Sequence, residues 1–278
     1  MPDTTESREH VIDASRQSLF NWGELWNYRE LFYFFAWRDI KIKYKQTALG
    51  FLWAVLQPLI MMLIFTLFFG QALQVPSQGL PYPVFVFSGL LLWNIFSTGL
   101  TASAYSMVNN SHIIKKIYFP RLIIPVSSVL VAVFDFLMAF LLFGALLLYY
   151  QQPVAWTAVI YWPLAAALCV IATMGPGNLL AALNVKYRDF RYVIPFLVQV
   201  LFFLTPVIYP VSLLKYPLLK YIVVMSPMYA AIELFRYPLV GASLNTTFIL
   251  ISMASGLILL LAGTFFFRRT EEFFADLA

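Results

Sequence analysis

The run Arg38-Asp39-Ile40-Lys41-Ile42-Lys43-Tyr44-Lys45 gathers Arg38, Lys41, Lys43 and Lys45 within eight positions. Guanidinium and ammonium groups so clustered can meet phosphate oxygens through charge-assisted hydrogen bonds, or simply attract the anionic headgroups of a lipid leaflet. Two further segments mix cations with aromatic rings, Asn109-Asn110-Ser111-His112-Ile113-Ile114-Lys115-Lys116-Ile117-Tyr118-Phe119-Pro120 and Asn184-Val185-Lys186-Tyr187-Arg188-Asp189-Phe190-Arg191-Tyr192. Each is about two helical turns long. Short exposed helices with apolar anchors suit the docking of a partner, while their Lys and Arg also suit lipid headgroups. Asp135 lies deep in a long apolar run. An ionisable group in that setting is a functional candidate, with pairing to a neighbouring hydroxyl or to a Lys or Arg from a membrane edge as the alternative.

The chemistry that is missing narrows the function further. The sequence has no G-x-x-x-x-G-K-[ST] run, so it offers no phosphate loop for ATP. It also lacks a G-x-S-x-G elbow, an H-E-x-x-H helix and a pair of close intramembrane carboxylates, so no catalytic residue is expected. Ion-coupled transport relies on relays of titratable groups and on internal repeats, and one carboxylate makes a poor relay. Cys169 reads as a small core residue, and His10 and His112 are too far apart to start a metal site, so none is expected.

The elements that must position these residues follow from composition. Of the 278 residues 62% are hydrophobic and 11% charged, with a mean hydropathy of +0.80, whereas soluble domains carry about 25% charged residues. The chain is therefore an integral membrane protein. A hydrocarbon core about 30 Å thick takes roughly 20 residues per helix, and apolar segments of that order occur at 49–73, 84–107, 122–150, 158–183, 193–208 and 247–267. Six crossings are expected. Residues 1–21 are polar and lack an apolar h-region, which excludes a signal peptide or a span there and suggests a cytosolic lead-in. In 22–48, Trp22, Leu25, Trp26, Phe32 and Tyr33 recur at helical spacing, the pattern of an aromatic-rich interfacial helix, followed by the basic linker.

Charge sets the expected orientation. Lys and Arg concentrate before residue 49, in 109–121, in 184–192 and in the tail 268–278, while 74–83 and 151–157 hold none. The positive-inside rule then places both termini in the cytosol. The net charge of +5 flanks apolar segments and forms no polar basic domain, so nucleic acid is not an expected partner. Lys215, Lys220 and Arg236 lie in 209–246, an apolar stretch punctuated by Pro210, Pro217, Pro227 and Pro238. A seventh complete span there would carry Arg268 and Arg269 outside, whereas a re-entrant pair of short helices keeps the parity. Irregular backbone at membrane depth must be covered by protein or line a cavity. The segment is thus a candidate external gate, with Tyr209, Pro210, Pro217 and Pro227 at its turns, the alternative being an amphipathic hairpin on the outer surface. Glu233 and Arg236, at i and i+3, are expected to pair on one helix face.

Aromatic residues fill the spans, among them Phe51, Trp53, Phe65, Phe68, Trp93, Phe96, Phe202 and Phe203. Sugars present C–H faces that stack on rings, so a row of rings would let a glycan slide. The same residues also fill helix interfaces and membrane girdles.

Three stretches carry a resemblance. Arg38-Asp39-Ile40-Lys41-Ile42-Lys43-Tyr44-Lys45-Gln46-Thr47-Ala48-Leu49-Gly50, leading into Trp53 and Gln57-Pro58, is joined by Leu183-Asn184-Val185-Lys186-Tyr187-Arg188-Asp189 and Thr205-Pro206-Val207-Ile208-Tyr209-Pro210. Together they resemble the permease subunits of ABC-2 type polysaccharide exporters, which move lipid-linked O-antigen, capsular polysaccharide and teichoic acid across bacterial inner membranes. The resemblance runs from about residue 31 to near the end of the chain. It implies an all-α fold with an interfacial helix, six spans and re-entrant helices before the last one. It also implies a homodimer bound to two copies of a separate P-loop ATPase that holds ATP and Mg, with a glycan channel between protomers. O-antigen on undecaprenyl diphosphate is the preferred substrate, with a small molecule as the nearest alternative and ion-coupled transport more remote. The basic loops would be coupling helices, with Lys115, Lys116 and Tyr118 in the first and Tyr187, Arg188 and Asp189 in the second touching the ATPase. Arg38, Lys41, Lys43 and Lys45 would stand where a lipid pyrophosphate arrives from the inner leaflet, and Gly175-Pro176-Gly177 would mark a kink in the fourth span.

Overall fold

The computed structural model describes residues 22–45, 50, 52–117, 119–241, 244–271 and 274, whose regular elements are helices with no strand among them. Two helices precede the spans, α1 (Trp22–Asn27) and α2 (Arg29–Lys45). Helix α3 (Leu52–Phe65) runs on through a wider π-helical turn, Thr66–Ala72, to make one apolar length of 21 residues. The glycine at 70 gives that turn room beside Tyr82, whose ring a Cβ there would meet at 2.8 Å.

Four more helices are long and apolar enough to cross a membrane: α4 (Tyr82–Asn109), α6 (Ile123–Tyr149), α7 (Ala158–Lys186) and α11 (Thr246–Glu271), with the single turn α5 (Ser111–Ile114) between α4 and α6. The expected fifth span, 193–208, is a shorter helix, α8 (Phe190–Leu204), of 15 residues. Proline explains where it stops. Pro206 brings no N–H and crowds the residue before it out of the helical region, so Thr205 is extended at φ −98°, ψ 137°.

Two short helices follow, α9 (Pro217–Val224) and α10 (Met228–Val240), meeting at 90° across a break of three residues, so they do not form one straight crossing. Pro217 sits in the first turn of α9, where its missing N–H costs nothing, and Gly241 ends α10 in the left-handed conformation at φ 65°.

Helix α4 is the enclosed centre of the bundle and α3 the most exposed of the spans. Lipid tails are as apolar as leucine, so close packing and interhelical hydrogen bonds must hold such helices together. The Gly175-Pro176-Gly177 segment shows how. Helix α7 continues unbroken through it, and its glycines serve close approach: a Cβ on Gly175 would lie 2.6 Å from the Leu259 carbonyl carbon of α11, and one on Gly263 of α11 would fall on the Gly175 carbonyl oxygen. A Cβ on Gly177 would meet Ser103 Oγ of α4 at 2.8 Å. A second, smaller core, including Phe35, Met107, Ile114, Phe119, Ala181 and Phe267, closes the end of the bundle that carries the basic loops.

Candidate functional site

Helix α2 is fixed to that basic end through Phe35, whose ring packs 5.7 Å from Phe119. Arg38 covers the same ring at 4.8 Å and donates to Asp39 Oδ1 at 2.7 Å and to Asn110 Oδ1 at 2.8 Å. Lys43 forms an ion pair with Asp135 on α6, and the Tyr44 hydroxyl donates to the other oxygen of that carboxylate. Burial, then the hydrogen bond to the Asp135 carboxylate and the repulsion from its charge, push the Tyr44 phenol well above its ordinary range. The basic run therefore divides. Arg38 and Lys43 are engaged by side chains of the protein, while Lys41 and Lys45 are exposed. Lys41 lies 5.4 Å from the Trp37 ring, and Phe34, Trp37, Arg38, Lys41, Ile42 and Lys45 line an open groove of about 320 Å³.

Both basic loops are held to the last turns of α4, the first by chain connection and the second by hydrogen bonds. Asn110 caps α4, is buried, and donates from Nδ2 to Ser106 O at 2.8 Å. Beyond it Ile114 is buried in the smaller core, while Lys115 and Lys116 are exposed, and Tyr118 lies outside the described residues. The second loop begins where Tyr187 leaves α7 at φ −132°, ψ 112°, and Tyr187, Arg188 and Asp189 are exposed. Asn184 donates to Ala104 O at 2.9 Å, and the Tyr105 hydroxyl donates to Arg191 O at 2.7 Å. Residues 104–110 thus carry hydrogen bonds to α2 and to the second loop, and lead directly into the first. Sequence reasoning passed over Tyr105 as a member of this group, while Asn110 and Asn184 stood within quoted segments without an assigned role.

The candidate ring residues separate into two sets. Trp93, Phe96 and Phe202 are buried inside the chain, linked by centroid distances of 5.4 Å for Trp93–Phe96 and 5.2 Å for Trp93–Phe202, with Phe65 stacked on Phe202 at 5.6 Å. They fill the junction of α3, α4 and α8. Trp53, Phe68 and Phe203 are each more than half exposed, on the outer faces of α3 and α8. Phe51 lies outside the described residues.

At the opposite end Arg236 is buried on α10 with 1% exposure. Its guanidinium sits 3.7 Å from the Phe85 ring and donates to Ser88 Oγ at 3.1 Å and to the carbonyls of Phe85, Pro206 and Val207 at 3.0, 2.9 and 2.7 Å. The expected Glu233–Arg236 ion pair is not formed. The irregular segment after α8 leaves carbonyls that must be satisfied away from water, and Arg236 supplies donors to them. Gly89 makes room for it: a Cβ there would lie 2.7 Å from Arg236 Nη2 and 2.9 Å from Val207 O. The candidate gate residues are spread along the segment from the end of α8 to the start of α10. Tyr209 donates to Phe203 O at 2.8 Å, Pro210 is buried, Pro217 opens α9 and Pro227 precedes α10.

An all-α, multi-pass membrane protein with cationic loops at one end of the bundle and a broken pair of short helices before its last span is the architecture of a transport permease, and residues 30–240 match the ABC-2 type transporter family. The chain belongs to that family. Among its relatives it is 30% identical to an O-antigen export system permease protein RfbA of Klebsiella pneumoniae, over 86% of this chain and 92% of that protein. It is 30% identical to the RfbA of Myxococcus xanthus, over 90% and 96%. The polysialic acid transport protein KpsM of Escherichia coli is 25% identical over 84% and 91%.

Proposed function

We propose that this chain is the membrane-spanning subunit of an ATP-driven exporter of polysaccharide, acting on a lipid-linked glycan of the O-antigen kind carried on undecaprenyl diphosphate. The observation that carries the reading is the near full-length likeness to O-antigen export permeases, with the weaker likeness to a polysialic acid transporter in support of the broader substrate class. The chain works as a homodimer in a bacterial inner membrane, with both termini cytosolic. Two copies of a separate P-loop ATPase bind ATP and Mg and supply the energy, so this subunit is itself no enzyme.

The geometry supports a division of labour. Lys115, Lys116, Tyr187, Arg188 and Asp189 are exposed at the foot of α4, where an ATPase would press on them. Force applied there passes into α4, because Asn184 and Tyr105 tie the second loop to it and Asn110 ties it to Arg38 of α2. Lys41 and Lys45, with Arg38 partly engaged, offer cations to the pyrophosphate beside the Phe34 and Trp37 rings. Lys43 contributes less to that cluster, since Asp135 already neutralises it. Trp53, Phe68 and Phe203, exposed on this chain, are the rings we assign to a moving glycan, with the buried Trp93, Phe96 and Phe202 behind them.

Affinity purification from native membranes in mild detergent, with mass spectrometry of the co-purifying chains and lipids, tests this. The expected result is a P-loop ATPase together with a diphosphate-linked glycan. Recovery of an ATPase with a small-molecule cargo would move the substrate class, and recovery of this chain alone would remove ATP coupling.

A further inference from the structure

Resting on the reading of 209–246 as the outer gate, we infer that Arg236 is the positioning residue that makes α10 the fixed post of that gate, leaving α9 as the arm that moves, with its pivot at Met225-Ser226-Pro227. The two helices are held very differently. Helix α10 is almost wholly buried, and its guanidinium reaches two separate pieces of chain: the first turns of α4 through Phe85 and Ser88, and the segment after α8 through Pro206 and Val207. Withdrawing α10 would strip a buried cation of its acceptors and leave carbonyls unpartnered in an apolar setting, which is costly. Gly89 is cut to the size of that guanidinium, so the fit is steric as well as polar.

Helix α9 has no comparable hold. Leu218, Leu219, Tyr221 and Ile222 are exposed, and among the described residues α9 buries Val223 and Val224 near the break and sets the Tyr221 ring beside Phe248 at 5.9 Å. The break is pinned as a pivot would be. Ser255 of α11 donates to Met225 O at 2.7 Å, Ser252 donates to Ser226 O at 2.7 Å, and the Ala230 N–H donates back to Ser252 Oγ at 3.0 Å. Pro227 enters α10 against Gly256, where a Cβ would lie 3.4 Å from the proline ring. A fixed post, a pinned corner and a lightly held arm make a hinged flap.

The test uses the full chain in lipid vesicles, spin-labelled at Leu218→Cys on α9 or at Tyr237→Cys on α10, with buried Cys169 left in place. Electron paramagnetic resonance should show a mobile label at 218 and an immobile one at 237. Arg236→Lys should raise the mobile fraction at 237 by about tenfold, the change expected on losing a hydrogen bond from a charged donor, and leave 218 unaltered. If that variant does not fold, Gly89→Ala perturbs the same contact while keeping the arginine, and the same selective loosening is expected. An arginine that only stabilises the fold would loosen both labels together, and that result, or equal mobility of the two labels in the unaltered chain, overturns the inference. Adding the partner ATPase with ATP and vanadate should shift the 218 spectrum alone. A shift at both positions also overturns it. Absence of any partner ATPase would count against the exporter reading, while the nucleotide-free comparison would still decide the roles of α9 and α10.

Discussion

Lys43 of α2 is paired with Asp135, near the middle of α6, so of the two readings of this carboxylate it is the pairing with a basic side chain that the structure shows. Tyr44 adds its hydroxyl to the same carboxylate, which makes the contact a two-point latch between α2 and the bundle. Lys43 remains partly exposed, so solvent screens much of the attraction, and Asp135→Asn should cost about 1 kcal/mol. A thermal double-mutant cycle with Lys43→Gln checks this, the expected outcome being a double variant hardly less stable than either single one.

The same latch sets an alkaline limit. Tyr44 keeps its proton in the folded chain above the ordinary phenol value of 10.0, because of burial and the adjoining carboxylate. A folded-state pKa raised in this way gives stability that is complete below about pH 10 and is lost as pH climbs above it. Thermal midpoints measured through that range should fall more steeply for the unaltered chain than for Tyr44→Phe, whose starting stability is lower.

Transmission from the basic loops to α4 predicts a separation of binding from work. Asn184→Ala with Tyr105→Phe removes the two hydrogen bonds that hold the second loop to α4, each worth about 1 kcal/mol. The ATPase should still co-purify, while export falls severalfold. Charge reversal at exposed Lys115 and Lys116 should act the other way, with the complex itself lost, which co-purification measures directly.

The contact between α7 and α11 leaves no space for a side chain. Gly263→Ala would set a methyl group on the Gly175 carbonyl and should cost about 1–3 kcal/mol. A lowered unfolding temperature in detergent is the expected outcome, with Gly144→Ala inside α6, where nothing lies within 4 Å, as the control that is unchanged or slightly raised.

Features with a local cause were legible in the sequence. The basic loops, the long apolar helices and the proline-marked break between α9 and α10 all follow from composition or from residues within a turn of one another. Contacts across the bundle were not. The acceptors of Arg236 come from residues 85, 88, 206 and 207, so the nearby Glu233 looked like its natural partner. Trp93 and Trp53 look alike as intramembrane rings, yet helix rotation buries the first and exposes the second. Thr205-Pro206 did announce the early end of α8, but the apolar run continued past it and outweighed the proline.

Deleting the gene for this chain in the bacterium that carries it, then assaying surface polysaccharide alongside diphosphate-linked glycan within the cell, tests the central claim most directly. Loss of the surface polymer with build-up of the lipid-linked glycan on the cytosolic side, reversed by the unaltered chain and not by a variant reversed in charge at Lys115 and Lys116, is the result expected of an ATP-driven export permease. Normal surface polysaccharide with no internal accumulation would contradict it.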